Sequence, residues 1–172
     1  IKKDGSEVPV LFSVSKIENE NEGITEYVCV ANDLSVQKAT EKRWREYARK
    51  DKMTGTLNRG TGIEKLETEI KKTKYFENDL CIAFIDVNDL KIVNDNLGHR
   101  KGDELIKTIS NLIIENIKDL DFIFRIGGDE FVIAFTEKNL EESQDKIDQI
   151  LEKIEEINKK EDREYEISIS YG

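Results

Sequence analysis

The sequence has little cysteine and histidine. Two cysteines, Cys29 and Cys81, and one histidine, His99, occur among 172 residues. Both cysteines fall in apolar stretches typical of strands, so we interpret them as reduced core residues and expect neither a disulfide nor a metal role. We interpret His99 as a structural loop residue rather than a catalytic base or a metal ligand.

Long apolar runs and an excess of positive charge are also missing. No stretch is long enough for a transmembrane helix and no signal peptide opens the chain, which predicts a cytoplasmic protein without membrane contact in this segment. The net charge is −10, and residues 1–50 are balanced with nine basic and nine acidic side chains. Residues 51–172 therefore carry the whole negative net charge, which argues against binding nucleic acid through its phosphates. A phosphate-bearing ligand remains compatible if a cation bridges it to carboxylates.

Residues 124–133 combine two apolar runs with a polar centre, Gly127, Gly128, Asp129 and Glu130. This pattern predicts two short strands joined by a tight turn, in which glycine supplies a positive φ and lets a ligand approach the backbone. Two carboxylates at a rigid tip suit a magnesium ion and the phosphates it carries. The alternative is a solvent-exposed acidic turn.

A second apolar run, residues 80–88, ends in acidic and amide side chains. It predicts a buried strand that presents Asp86 at its C-terminal end. Because side chains alternate along a strand, Asp86 shares a face with Phe84 and Asn88. If this strand pairs with the hairpin, Asp86 and Asp129 can converge on one metal ion.

Three motifs in order resemble those of the GGDEF family of diguanylate cyclases, which join two GTP molecules into cyclic di-GMP. The signature pentapeptide is intact at Gly127–Phe131. The family's Asp-x-Asp-x-Phe-Lys-x-Ile-Asn-Asp-x-x-Gly-His-x-x-Gly-Asp pattern is similar to residues 86–103, and its Asp-x-Leu-Thr-Gly-Leu-x-Asn-Arg motif to residues 51–59. The resemblance covers about residues 48–172.

The resemblance implies a Mg²⁺ cofactor, with Mn²⁺ as a possible substitute. It makes Asp86 and Asp129 the metal carboxylates, and the carbonyl of Val87 a further ligand. Glu130 is implied as a catalytic carboxylate. However, neighbouring strand residues point opposite ways, so Asp129 and Glu130 should not both contact the metal unless the turn twists them together.

The resemblance also implies a GTP site. Asn94 and Asp103 match the positions that read the guanine edge, and Lys91 matches a loop that contacts phosphate. Gly127 and Gly128 belong to the same substrate-binding region. For Asp103, a plain helix N-cap is the alternative interpretation.

The expected reaction is attack by the 3′-hydroxyl of one GTP on the α-phosphate of another, in a homodimer whose two copies each present one GTP. A catalytically silent module that binds GTP or cyclic di-GMP and acts as a regulatory domain is the alternative. A cyclase with another product, such as a mixed adenine–guanine dinucleotide, is a third hypothesis, and Asp103 at the guanine position argues against it.

Three positions depart from the family pattern. Asn88 replaces the second strand-end aspartate, and Leu90 replaces a phenylalanine. The product-inhibition motif Arg-x-x-Asp reads Lys118 to Asp121, and lysine lacks the bidentate fork of arginine. We therefore predict weak or absent feedback inhibition.

The ends of the chain predict a fragment of a longer sensory signalling protein. Residues 1–33 are similar to the last two strands of a PAS sensor domain, although an extra hairpin packed on the catalytic domain is the alternative. Residues 34–50 predict a signalling helix. Residues 51–172 are similar to the GGDEF domain, and the resemblance implies that they lack its C-terminal end, a helix and strand that in the family supply a Lys and an Arg for the triphosphate.

The elements of residues 51–172 predict an α/β fold, an α+β sandwich with a central, mostly antiparallel sheet flanked by helices. The resemblance implies the palm-like fold of nucleotidyl cyclases. Apolar spacing predicts helices around residues 63–70, 105–117 and 140–160, a loop over residues 94–103 and a final strand over residues 165–171.

Overall fold

The computed structural model describes residues 5, 7–19, 24–117, 120–160 and 163–172. The chain divides into two compact units, Ile1–Ala48 and Arg49–Gly172.

The first unit contains a hairpin and a helix. Strand β1 (Val10–Asn19) pairs antiparallel with β2 (Ile24–Asp33), and helix α1 (Ser35–Arg49) follows after an Asp33 carboxylate that accepts a hydrogen bond from the Ser35 N–H at 2.7 Å. Cys29 is exposed on β2, so its interpretation as a core residue is wrong. A two-stranded sheet has no second layer of its own to bury it. The PAS resemblance and the domain limits stay predictions.

The second unit is built on a four-stranded sheet. Its strands are β3 (Leu80–Val87), β4 (Phe122–Gly127), β5 (Glu130–Thr136) and β6 (Ile169–Tyr171), in the order β4-β5-β3-β6 with every neighbouring pair antiparallel. The predicted antiparallel sheet is confirmed. The final strand is shorter than predicted, because its sheet pairing begins only at Ile169.

Four helices flank this sheet: α2 (Arg59–Phe76), α3 (Leu90–Leu97), α4 (His99–Asn116) and α5 (Leu140–Lys160). The loop predicted over residues 94–103 is wrong, because α3 and α4 meet at Gly98. Gly98 has φ 86°, and its N–H donates to the Asn94 carbonyl at 2.9 Å, which ends one helix where the next begins. His99 is therefore an exposed first residue of a helix, and Asp103 lies inside α4 rather than at its N-cap.

Hydrophobic residues fill both sides of the sheet. Alternate residues of β5 point to opposite faces: Phe131 and Ile133 enter the larger core with α4 and α5, whereas Val132 enters the smaller core beneath α2. The smaller core consists of Phe122, Phe124, Val132 and Ala134 with partly buried neighbours. This confirms the α/β sandwich.

The strand that carries Asp86 is buried on one face only. Ile85 and Val87 are buried, whereas the side chain of Phe84 is 60% exposed. The cluster beneath α2 takes only Leu80 from β3, so the outer face of this strand is largely uncovered within the described residues. The sequence prediction of a buried strand therefore holds for one face of β3 and is wrong for the other.

Candidate functional site

The predicted acidic residues meet at one edge of the sheet. β3 pairs with β5 so that Asp86 lies opposite Glu130, and the N–H of Val87 donates to the carbonyl of Asp129 at 3.1 Å. Directly opposed residues of an antiparallel pair lie about 4.5–5.5 Å apart between their Cα atoms. The strand pairing thus brings these four residues close together in the sheet, with Glu130 rather than Asp129 directly opposite Asp86.

Asp86 and Glu130 also share a face of the sheet. Directly opposed residues project to the same side, and both carboxylates are exposed. They line a cavity of about 480 Å³ together with the apolar side chains of Phe84, Ile126 and Tyr171. Asp129 precedes β5 in the turn and is half-buried, and it does not line this cavity.

The glycines between β4 and β5 leave the turn open. Gly128 has φ 47°, a conformation that side chains disfavour, as predicted. Apart from each glycine itself and its two chain neighbours, no described residue has an atom within 4 Å of where a Cβ would stand at Gly127 or Gly128. A ligand can therefore approach the turn backbone closely.

Arg125, which the sequence analysis did not single out, holds this turn. Its Nε donates to the Gly128 carbonyl at 3.0 Å, and its Nη1 pairs with Oδ1 of Asp51 at 3.2 Å. Arg125 stands just before the glycines, and no spacing rule marks it as special. Its contact with the motif at residues 51–59 depends on a pairing across 74 residues of sequence.

Asp51 is the centre of a small hydrogen-bond network. Its Oδ1 accepts from the N–H of Thr54 at 2.9 Å, from the hydroxyl of Thr54 at 2.8 Å and from the N–H of Met53 at 3.2 Å. Burial by itself raises the pKa of Asp51, but the Thr54 hydrogen bonds and the Arg125 guanidinium together hold this pKa below its usual value. The first motif is thus an anchor for Arg125 and, through it, for the glycine turn.

The predicted guanine-reading residues form a second cluster. Asn94 on α3 and Asp103 on α4 are both half-buried, and a Cβ on Gly102 would overlap the side-chain oxygen of Asn94. The amide of Asn94 therefore lies against the backbone next to Asp103. Lys91 is exposed in the first turn of α3, a helical position rather than the expected loop. None of these three residues lines the 480 Å³ cavity.

Asn88 makes specific contacts in place of the aspartate of the family pattern. Its Nδ2 donates to the Ser168 hydroxyl at 3.2 Å, and the Ser170 hydroxyl donates to its Oδ1 at 2.7 Å. The side chain therefore ties the end of β3 to the segment that forms β6. Nothing in the sequence marks these serines, because residue types alone do not show which strand lies beside Asn88.

The oxygen donors at this end of β3 and β5 suit a hard cation. Carboxylate and carbonyl oxygens are the ligands that Mg²⁺ prefers. In the part of the chain that the structure describes, no group of three or more His, Cys, Asp or Glu side chains is arranged around one point. The expected set of Asp86, Asp129 and the Val87 carbonyl offers two carboxylates and one carbonyl oxygen, and the chemistry of these donors suits the ion.

Comparison with known proteins places these features in a family. Residues 48–172 match the family described as "Diguanylate cyclase, GGDEF domain". Diguanylate cyclase DgcP of Pseudomonas aeruginosa is 36% identical over 97 residues, which cover 56% of this chain and 14% of that protein. Diguanylate cyclase DosC of Escherichia coli is 32% identical over 120 residues, 70% of this chain and 26% of that protein.

A solved structure has a similar fold. The coiled coil and GGDEF domain of DgcB from Caulobacter crescentus, in complex with c-di-GMP, superposes with a TM-score of 0.73 at 21% identity. The match covers 81% of this chain and 75% of that one.

The two curated relatives are matched over about a quarter of their length or less. No helix among the described residues is long and apolar enough to cross a membrane.

Proposed function

The chain belongs to the GGDEF-domain family of diguanylate cyclases, and on that premise we propose that it condenses two GTP molecules into cyclic di-GMP. The observation that carries the proposal is the β3–β5 pairing, which sets Asp86 opposite Glu130 and joins Val87 to Asp129 by a hydrogen bond. This pairing gathers the carboxylates that phosphoryl chemistry needs at one sheet edge.

The proposed reaction occurs twice for each product molecule. The 3′-hydroxyl oxygen of one GTP loses its proton and forms a bond to the α-phosphorus of the other. The bond between that α-phosphorus and the oxygen that bridges to the β-phosphate breaks, and pyrophosphate leaves with the electron pair of this bond. Positioning and electrostatics do most of the work in such a transfer. The open Gly127–Gly128 backbone would let the phosphates approach, and Glu130, exposed opposite Asp86, would interact with the attacking hydroxyl.

Asp86, Asp129 and the Val87 carbonyl would hold Mg²⁺, or Mn²⁺ in its place. The ion supplies neutralisation of phosphate charge and lowers the pKa of a hydroxyl near it. The residues of the chain keep these donors in place through the β3–β5 ladder, and Arg125 fixes the neighbouring turn.

Asn94 and Asp103 would select guanine. A carboxylate accepts from the guanine N1–H and N2 amine, and an amide N–H donates to O6, a pattern that adenine cannot satisfy. Both side chains are half-buried, so a wrong base would leave their polar groups without partners. Lys91, exposed at the start of α3, would contact the phosphates.

Each copy would present one GTP, so catalysis requires a homodimer. The chain would serve as the output domain of a sensory signalling protein.

The second candidate function is a catalytically silent nucleotide-binding module. The observation that favours the second candidate is Asn88, which replaces a carboxylate and is already hydrogen-bonded to two serines.

Incubation of the chain with GTP and Mg²⁺, with products read by mass spectrometry, tests the proposal. We expect cyclic di-GMP from the parent chain and a rate at least about 100-fold lower for Asp129→Ala, because losing a metal carboxylate removes a few kcal/mol of transition-state stabilisation. Asp145→Ala is the matched control, an exposed carboxylate on α5 far along the chain, and should leave the rate unchanged.

Binding without turnover would favour the silent module. In that case, Mg²⁺-dependent GTP binding that is weakened by Asp129→Ala would still support the metal site. If Asp129→Ala makes cyclic di-GMP as fast as the parent, the proposed role of Asp129 is wrong.

A further inference from the structure

An exposed serine stands beside the acidic residues at the sheet edge. In the β3–β6 ladder Ser170 lies directly opposite Asp86, whose other neighbour, across the β3–β5 ladder, is Glu130. Directly opposed residues project to the same side of a sheet, so these three side chains share one face. Neighbouring strands are about 4.8 Å apart, which places Glu130 and Ser170 on either side of Asp86. All three residues line the cavity of about 480 Å³.

The hydroxyl proton of Ser170 is already used within the protein. It is donated to Oδ1 of Asn88 at 2.7 Å, an amide oxygen that can only accept. The Asn88 amide is itself held, because its Nδ2 donates to the Ser168 hydroxyl at 3.2 Å and its backbone N–H donates to the Ser168 carbonyl at 3.1 Å. The oxygen of Ser170 therefore keeps lone pairs for a ligand but offers the ligand no donor.

The segment that carries Ser170 is fixed on both sides of the serine. Before it, Asn158 on α5 donates from Nδ2 to the Ile167 carbonyl at 2.8 Å and accepts from the Ile167 N–H at 3.0 Å. After it, the N–H and carbonyl of Gly172 bond to the backbone of Phe84 at 3.1 and 2.9 Å. A slip of one residue would turn Ser170 to the other face of the sheet, and these bonds oppose it. The serine is thus in place before a ligand binds.

The three side chains on this face present hydrogen-bond acceptors. The ionised carboxylates of Asp86 and Glu130 only accept, and Ser170 adds a neutral acceptor. A ligand group that meets them must donate. The sugar of a ribonucleotide has two neighbouring hydroxyl donors, whereas 2′-deoxyribose has one. In the proposed reaction the 3′-hydroxyl belongs beside Glu130 and the ion at Asp86, which leaves the 2′-hydroxyl as the donor for Ser170.

We propose that Ser170 accepts a hydrogen bond from the 2′-hydroxyl of the bound GTP and so selects ribonucleotides over deoxyribonucleotides, with Asn88 as the positioning residue that orients the serine hydroxyl. The proposal rests on the GTP site proposed above and adds selection of the sugar to selection of the base by Asn94 and Asp103. An amide oxygen accepts from a hydroxyl as a carboxylate does, so Asn88 performs this task without a charge.

Two nucleotide analogues test the role of Ser170 without turnover. 3′-DeoxyGTP keeps the 2′-hydroxyl, 2′,3′-dideoxyGTP lacks it, and neither carries the attacking 3′-hydroxyl. Titration calorimetry of the whole chain with Mg²⁺ measures the Kd of each. We expect the parent to bind 3′-deoxyGTP about tenfold more tightly, the effect of one hydrogen bond. Equal affinities, the result if Ser170 meets only water, would overturn the proposal.

Variants of the serine locate the effect. Ser170→Ala removes the acceptor and should bring the ratio of the two dissociation constants to about one. Ser170→Thr keeps the hydroxyl on a residue that suits a strand and should keep the ratio near about ten. Ser168→Ala is the matched comparison, because Ser168 also contacts Asn88 but does not line the cavity, and it should keep most of the ratio. A parent-like ratio in Ser170→Ala contradicts the proposal.

Variants of Asn88 test the positioning. Asn88→Asp still offers the Ser170 hydroxyl an acceptor and should keep the ratio, since its added charge acts on both analogues equally. Asn88→Leu has a similar shape but no acceptor, which frees the hydroxyl to turn, and its ratio should fall below about three. A parent-like ratio in Asn88→Leu would show that Asn88 does not orient the serine.

Turnover of GTP separates this proposal from the cyclase activity. Cyclic di-GMP formed by the parent, together with an unchanged ratio in Ser170→Ala, would refute the role of Ser170 and leave the cyclase standing. A ratio that depends on Ser170 in a chain that makes no cyclic di-GMP would refute the cyclase and support sugar selection by a silent module. If neither analogue binds, sugar selection by Ser170 is overturned.

Discussion

Arg125 shows how one side chain connects two motifs. It donates to the Gly128 carbonyl in the turn and pairs with Asp51, whose carboxylate also accepts from the N–H and hydroxyl of Thr54 and from the N–H of Met53. A guanidinium is suited to this task because its donors lie in a rigid planar fork. The conformation of the glycine turn therefore depends on a carboxylate in another part of the sequence.

We expect Asp51→Asn to lower the free energy of unfolding at pH 7 by about 1–2 kcal/mol, because Arg125 loses its charged partner. The folded-state pKa of Asp51 lies below its usual value of 3.8. Stabilisation by the carboxylate is therefore fully present above pH 3.8 and lost as the pH falls through the folded-state pKa. Urea denaturation of both chains at pH 7, 5 and 3 measures the difference.

Asp145→Asn is the control for this experiment, since that carboxylate is exposed and should change stability little at any pH. The difference between Asp51→Asn and the parent should be similar at pH 7 and pH 5 and smaller at pH 3. A difference that stays constant down to pH 3 would show that the charge of Asp51 is not its cause.

Asp121 bears on the predicted loss of feedback inhibition. Lys118, the other residue of that motif, lies outside the described residues. The Asp121 side chain is 1% exposed, and its carboxylate accepts from the Thr136 N–H at 3.0 Å and from the Lys138 ammonium at 2.9 and 3.0 Å. A carboxylate with these partners is poorly available to a ligand.

We therefore expect weak or absent binding of cyclic di-GMP through residues 118–121, and little inhibition of turnover by product. Calorimetry with cyclic di-GMP measures the binding, and Lys118→Ala should change it little. Tight binding by the parent that is lost in Lys118→Ala would contradict this expectation.

At the scale of elements, the contact between α2 and β4 depends on a glycine. The backbone at Gly62 lies so close to the ring of Phe124 that a Cβ would overlap it. Neither strand nor helix can move away freely, because Phe124 is in the core beneath α2. Gly62 is thus required by packing rather than by a turn.

We expect Gly62→Ala to lower the free energy of unfolding by about 1–3 kcal/mol, the usual cost of overpacking a core. Gly60→Ala is the matched control in the same helix, where the nearest atom to a new Cβ is 3.7 Å away. It should be neutral or stabilising by up to about 1 kcal/mol, because alanine favours a helix. Equal effects of the two variants would show that the Phe124 contact is not the cause.

Periodicity predicted most elements of the second unit well. The helix at Leu140–Lys160 and the two hairpin strands lie where the apolar spacing placed them. The loop predicted over residues 94–103 was wrong, because the polar side chains that suggested a loop are helical residues on either side of Gly98. The apolar face of α2 was predicted from spacing, but Ile63 is 41% exposed and Leu66 is the residue that reaches the core.

At the scale of the whole molecule, the proposed chemistry needs two chains. Each copy carries one glycine turn and one set of carboxylates at the sheet edge, whereas the product contains two nucleotides. We therefore expect the rate per chain to rise with protein concentration until the dimer is complete.

Initial rates of cyclic di-GMP formation over a wide range of chain concentrations measure this dependence. Sedimentation at the same concentrations is the control, because the rise in rate should follow the fraction of dimer. A rate per chain that is constant while the chain is monomeric would contradict the requirement for a homodimer.

The sequence by itself determined the fold class, the family and the acidic residues of the candidate site. These follow from local information: alternation along strands, spacing along helices and motifs that stay contiguous at Asp86–Asp103 and Gly127–Phe131. Only the tertiary structure decided that Glu130 faces Asp86, that Arg125 pairs with Asp51 and that Asn88 is hydrogen-bonded to Ser168 and Ser170. The reason is physical: strand register and burial are set by segments far apart in sequence, so no local pattern contains them.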